Sequence, residues 1–395
     1  MPPVTSPPGA AAPAPAAVPG DPAPDLRVPA SLLPADGRFG SGPSRVRAAQ
    51  VEALTGIATT VVGTSHRQAP VMDLVRRART GLAALLGAPD GYEVVLGNGG
   101  STLFWDVAAL GLVREQAQAC VVGEFSAKLA AVLTAAPFLA DPEVLSAPYG
   151  SRVLPASRSG VDTYAFAHNE TSTGVLTPVH RPAGADDDAL VLVDATSAAG
   201  GVDVDLAEAD VYYFAPQKAL ASDGGLWFAV CSPRALARVE EVAALGRWTP
   251  ASLSLPLALA SSRKEQTLNT PAVVTLALLV DQVEWLLAQG GLAWAAARTA
   301  ESSGHLYAWA EQRVWARPFV ADPAHRSPVV GTVDLLAPVD ATAVRRVLRA
   351  NGVVDVDPYR ALGPDQLRVG MFPAVDPADV QALTACVDWV VERLA

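Results

Sequence analysis

The chain has 395 residues, half of them apolar, which is ample for a large core and more than one domain. A formal net charge of −11, with no clustered Lys and Arg, argues against a nucleic-acid surface and against binding to anionic membranes. Cys120, Cys231 and Cys386 lie far apart, no apolar run could span a bilayer, and no signal peptide is recognisable, so a reducing cytoplasm is expected, without disulfides or a metal site.

Residues 1–25 are dominated by Pro, Ala and Gly and are expected to form a disordered tail. A helix is predicted over 71–86, where Val71, Leu74, Val75, Leu82, Leu85 and Leu86 share one face. A strand over 93–96 runs into the turn Gly97-Asn98-Gly99-Gly100, and Ser101 opens a helix to about 113. A strand over 120–122 and a helix over 125–133 follow. Short apolar runs over 164–168, 190–194, 211–214 and 226–231 read as buried strands. This alternation predicts an α/β fold with a mainly parallel sheet over 26–280, its ligand beyond the carboxyl ends of the strands. From about 281 the pattern changes. A helical region over 283–313, strands over 329–335, 353–356 and 367–371, and helices over 341–350 and 377–394 predict a smaller C-terminal α+β domain over 281–395.

Only three lysines occur, Lys128, Lys218 and Lys264. Lys218 follows the apolar strand 211–214 and the turn Ala215-Pro216-Gln217. Desolvation at such a place lowers an amine's pKa and makes it nucleophilic, although a lysine snorkelling at a strand end has the same local sequence. The strand 190–194 ends in Asp194, so two parallel strands bring Asp194 and Lys218 to one sheet edge. Pyridoxal 5'-phosphate (PLP) needs such a pair, an amine to bind its aldehyde and a carboxylate to keep its ring nitrogen protonated. Asp194 could instead cap a helix that follows it. Gly99-Gly100-Ser101-Thr102 before a helix offers backbone N–H groups to a phosphate, and is also an ordinary strand-to-helix turn.

The ordered set Ser41-Gly42-Pro43, Ser65-His66-Arg67, Gly99-Gly100-Ser101, Asn169-Glu170-Thr171, Asp194, Gln217-Lys218, Asn269-Thr270-Pro271 and Arg368 resembles the phosphoserine aminotransferases. These are class V members of the fold-type I PLP enzymes, and the similarity is to their actinobacterial branch. The resemblance implies transfer of an amino group from L-glutamate to 3-phosphohydroxypyruvate in serine biosynthesis, with a related step in pyridoxine biosynthesis also within the family's range. It implies that Lys218 carries the cofactor and shuttles the proton, and that Asp194 pairs with the ring nitrogen. It also implies that Thr171 contacts the ring's phenolic oxygen side, and that Phe125 stacks on the ring where many relatives have Trp. Gly100, Ser101 and Gln217 would hold the cofactor phosphate. Asn269 and Thr270 would reach the phosphate in the neighbouring subunit, which implies a homodimer with shared sites. Ser41 and Arg67 would contact glutamate, His66 would add a donor to the phosphate, and Arg368 would clamp the α-carboxylate. Relatives carry a His-Arg pair shortly before that arginine; here Tyr359-Arg360 stands further away, leaving Arg360 as a candidate phosphate contact. Other readings are a class V enzyme with a different acceptor and a lyase of the cysteine desulfurase type, which needs a mobile exposed cysteine.

Overall fold

The computed structural model describes residues 26–394, so the tail expected over 1–25 lies outside the described residues. Its strands are β1 (Glu93–Asn98), β2 (Ala117–Val121), β3 (Glu143–Ser146), β4 (Thr163–Ala167), β5 (Asn169–Glu170), β6 (Val175–Leu176), β7 (Leu190–Asp194), β8 (Val211–Phe214), β9 (Leu226–Cys231), β10 (Ala316–Pro318), β11 (Val330–Leu335) and β12 (Gln366–Gly370). Seven of them form one sheet in the order β1-β9-β8-β7-β4-β2-β3. Only β9 runs against its neighbours, β1 and β8; the remaining pairs are parallel.

The uninterrupted apolar runs follow from helices covering both faces of this sheet. Along β7, Val191 and Val193 pack on one side with Leu279, Val283 and Leu286 of the helix Val273–Gln289. Leu190 and Leu192 pack on the other side with Phe104, Val107 and Leu129. In β8 and β9 the alternation is the same: Tyr212, Phe214 and Phe228 join the first layer, and Tyr213, Trp227 and Ala229 join the second.

The C-terminal part builds a separate antiparallel sheet, β10-β11-β12. The helices Gly291–Glu311, Ala341–Ala350 and Pro377–Leu394 bury Leu306, Val344, Val347, Val380, Leu383, Val387 and Val390 in one core with its strands. Val28 and Phe39, from the start of the described chain, belong to the same core.

Two predicted elements are corrected. The helical region expected over 283–313 is two helices, Val273–Gln289 and Gly291–Glu311, bent by 88° where Gly290 takes a φ of +124°. The strand expected over 353–356 is not one: Val354 makes a single bridge to Arg38, while Val353 and Val356 are apolar because they are buried in the C-terminal core.

Candidate active site

The parallel strands β1, β2, β4, β7 and β8 deliver their carboxyl ends to one place. Ala167, Asp194 and Tyr213 stand in register across β4, β7 and β8. A cavity of about 310 Å³ opens there, lined by Gly42, Pro43, Gly100, Ser101, Thr102, Trp105, Phe125, Ala167, Asn169, Thr171, Asp194, Thr196, Gln217 and Lys218. That is the lower end of the size range of small-molecule sites.

Lys218 is buried, and its Nζ donates to the Ser41 carbonyl at 3.0 Å and reaches Thr171 Oγ1 at 3.5 Å. Burial, reinforced by the nearby Arg368 charge, pushes its amine down to about 8. Ser44 fixes the backbone here, its N–H donating to the Gln217 carbonyl at 2.9 Å and its hydroxyl to the Lys218 carbonyl at 2.5 Å. The segment passes so close that a Cβ on Gly42, at φ +144°, would stand 2.5 Å from Lys218 Nζ. Any side chain there would displace the amine.

Asp194 is nearly buried at the tip of β7. Its Oδ1 accepts from the Thr196 N–H at 2.9 Å and the Thr196 hydroxyl at 2.5 Å, closing a local turn in place of the helix cap that the sequence also allowed. Its Oδ2 accepts from Trp105 Nε1 at 3.2 Å and the Tyr213 hydroxyl at 3.1 Å. No regular helix follows. Four donors therefore hold this carboxylate against one wall of the cavity.

The N-terminus of the helix Ser101–Gly111 forms another wall, with Gly100 as its N-cap and open space where a Gly100 Cβ would be. The Ser101 and Thr196 hydroxyls are 2.6 Å apart, and since the Thr196 proton goes to Asp194, Ser101 donates to Thr196. Phe125 opens a further helix, Glu124–Ala135, whose first turn is seated on Glu170. This fully buried carboxylate accepts from the Phe125 N–H at 3.2 Å, the Ser126 N–H at 2.9 Å and hydroxyl at 2.8 Å, and the Ser172 N–H at 3.2 Å and hydroxyl at 2.6 Å. A helix N-terminus favours negative charge, which suits Glu170, a residue with no ion-pair partner among the described residues. A Cβ on Gly123 would come within 2.4 Å of Glu170 Cγ.

Arg368, on β12, donates from Nη1 to the Thr171 carbonyl at 3.2 Å and lies 5.4 Å from the Tyr359 ring centre. Its Nε is buried without a partner.

Matching these features to known proteins decides the family. The family model described as aminotransferase class-V matches residues 41–356. The chain belongs to the class-V aminotransferases. Within this family it is 59% identical to a phosphoserine aminotransferase of a Nocardioides species, over 93% of this chain and 99% of that one. It is also 59% identical to one from Rhodococcus opacus, over 93% of this chain and 98% of the relative. Among solved structures, a phosphoserine aminotransferase from Cytophaga hutchinsonii shares the fold with a TM-score of 0.81 at 21% identity, covering 90% of this chain and 99% of that one.

The cofactor of this class-V aminotransferase is PLP, and the cavity suits it. Gln217 Oε1 and Ser41 Oγ are buried without hydrogen-bond partners, which is costly unless a bound polar group supplies them. An amine, a carboxylate and a helix N-terminus on three walls match an aldehyde, a ring nitrogen and a phosphate respectively.

The remaining sequence-predicted residues do not line this cavity. His66 is buried on a loop, with Nδ1 3.2 Å from Thr270 Oγ1 and an unpartnered Nε2. Arg67, Asn269, Thr270 and Arg360 are exposed. Asn98 Nδ2 donates to the Thr270 carbonyl at 2.9 Å, tying that loop to the turn before Gly100. Trp105, Tyr213, Thr196 and Glu170 were not singled out by role from sequence, because in an apolar helix, a strand or a polar turn they carry no local mark of it.

Proposed function

We propose that this class-V aminotransferase transfers the amino group of L-glutamate to 3-phosphohydroxypyruvate, giving O-phospho-L-serine and 2-oxoglutarate in cytoplasmic serine biosynthesis, with pyridoxine biosynthesis as a further setting. The observation that carries the reading is the buried Lys218 facing Asp194 across one cavity, in a chain whose relatives at about 60% identity bear that name. When bound, PLP supplies an electron sink for the substrate's α-carbon.

The residues would divide the work as follows. Lys218 holds the cofactor and, once released, moves the proton at the substrate α-carbon from a position fixed by the Ser41 carbonyl. Asp194 keeps the ring nitrogen protonated, oriented by Trp105, Tyr213 and Thr196. The first turn at Gly100 and Ser101, with Gln217, binds the phosphate. Phe125 covers the ring, and Thr171 sits beside the phenolic oxygen. Arg368 presents a planar fork to the α-carboxylate, its free Nε included. Ser41, His66, Arg67 and Arg360 serve the substrate, and Asn269 and Thr270, on the surface of one chain, complete the phosphate site of a partner in a homodimer.

The desulfurase reading is disfavoured by the thiols. Cys120 and Cys231 are buried and pushed up to about 12, and Cys386 to about 11, so none is an available thiolate.

The test is a coupled assay of purified protein with glutamate and 3-phosphohydroxypyruvate, read alongside its visible absorbance. Cofactor absorbance with 2-oxoglutarate formation is expected. Absorbance without turnover would redirect the search to other acceptors.

A further inference from the structure

Lys128 lies one helical turn after Phe125, on the same side of the helix Glu124–Ala135. Its Nζ is 5.2 Å from the Phe125 ring centre and 5.6 Å from that of Tyr359, and donates to the Tyr359 hydroxyl at 2.9 Å. The two rings meet edge-on at 5.4 Å. Lys218 Nζ is 5.6 Å from the same Phe125 ring, and Arg368 is 5.4 Å from Tyr359. Three basic side chains thus gather around two aromatic rings, and with Lys218 committed to the cofactor, Lys128 and Arg368 remain as cations.

None of the three pairs with a carboxylate among the described residues. The neighbouring acids are occupied: Glu124 accepts from the Tyr149 hydroxyl, Glu170 from the helix start, and Asp357 pairs with Arg345 and Arg349. Contact with ring faces and a phenol compensates an ammonium only in part. In a chain of net charge −11, Lys128 and Arg368, without carboxylate partners among the described residues and gathered on Tyr359 beside the cavity-lining Phe125, suit an anion from outside.

The two outer cations differ in kind. Arg368 is a planar fork suited to a carboxylate, and Lys128 is a compact point charge suited to a phosphate. We infer that Lys128, steered by Tyr359, binds the distal phosphate of the acceptor, and so sets the preference for phosphorylated over unphosphorylated oxo acids. On binding, Lys128 Nζ would exchange the Tyr359 hydroxyl for a phosphate oxygen. This inference rests on the transamination proposed above.

The test compares the wild-type, Lys128→Met and Lys128→Arg holoenzymes. Acceptors are 3-phosphohydroxypyruvate and hydroxypyruvate, and inorganic phosphate is titrated as an inhibitor of the glutamate half-reaction followed by absorbance. In Lys128→Met the ratio of kcat/KM, phosphorylated over unphosphorylated, should fall roughly tenfold, from loss of one charge-assisted hydrogen bond. Phosphate inhibition should weaken similarly, and Lys128→Arg should keep most of both. An unchanged ratio, or an equal fall for both acceptors, overturns the assignment. If the wild type itself does not favour the phosphorylated acceptor, the proposed reaction fails. Phosphate inhibition then decides alone: weaker inhibition of Lys128→Met upholds the anion site, and equal inhibition removes it.

Discussion

Trp105 reaches from the middle of the helix Ser101–Gly111 to donate its indole N–H to Asp194 Oδ2 at 3.2 Å, beside the Tyr213 hydroxyl at 3.1 Å. The carboxylate that lines the cavity is thereby aimed by two large side chains from the second core layer. Asp194→Asn should reduce kcat by roughly a hundredfold or more, since a preorganised charge is removed from the reacting system. Trp105→Phe keeps the ring packing and loses one charge-assisted bond, so about a tenfold loss in kcat/KM for glutamate is expected. Single-turnover kinetics with glutamate measures both, and full activity in Asp194→Asn would remove Asp194 from the chemistry.

Lys218 sets a pH dependence. An amine is nucleophilic only when neutral, and burial with Arg368 nearby brings Lys218 down to about 8 from an ordinary 10.5. Cofactor-free protein should therefore take up PLP at a rate that rises with pH through about 8 and then levels. A rate still climbing toward pH 10 would mean that the amine is unperturbed. Lys218→Ala should lose both the visible absorbance of covalently held cofactor and turnover.

Glu170 predicts a stability effect that travels to the site. In Glu170→Gln the amide turns a donor toward some of the five N–H and O–H groups now served by the carboxylate. A cost of about 2 kcal/mol is expected in denaturant unfolding. Because Phe125 rides on that helix start, cofactor should also dissociate faster, which absorbance after gel filtration would show. Destabilisation with unchanged cofactor release would confine Glu170 to folding.

His168 predicts acid sensitivity. It is fully buried against the Tyr212 hydroxyl at 3.0 Å, and burial pushes its imidazole from 6.5 down to about 4. The folded chain keeps it neutral while the unfolded chain takes up a proton below about 6.5. Stability is therefore intact above that pH and declines as pH falls from about 6.5 to about 4, by on the order of 3 kcal/mol. Unfolding curves of wild type and His168→Asn across this range should converge toward low pH. Parallel curves would show that His168 is not the responsible group.

What the sequence revealed depended on where the information lay. Asp194 could be read because it ends an apolar strand, and Lys218 because it follows one across a short turn in a chain with only three lysines. Gly100-Ser101 was legible for the same reason, as a turn feeding a helix. Trp105 and Tyr213 were not, since an aromatic residue in an apolar element looks like core, and here it is both core and ligand to Asp194. The partner of Glu170 lies 44–45 residues away in sequence, on a different element, so its role appears only after folding. The run 353–356 misled because buried backbone beside β12 demands the same apolar side chains as a paired strand.

The short stretch from Phe39 to Ser44 has a mechanical consequence. At one end the Phe39 carbonyl accepts the Gly370 N–H at 2.8 Å, two residues beyond Arg368 on β12. At the other, Ser41 and Ser44 hold Lys218 through its ammonium and its carbonyl. The tether joins the strand carrying Arg368 to Lys218, and it is short and closely packed against the lysine at Gly42. Under the roles proposed above, a shift of β12 on capture of a carboxylate by Arg368 would reach Lys218 through six residues of chain, so that binding of the acid and freedom of the lysine would act as two ends of one lever.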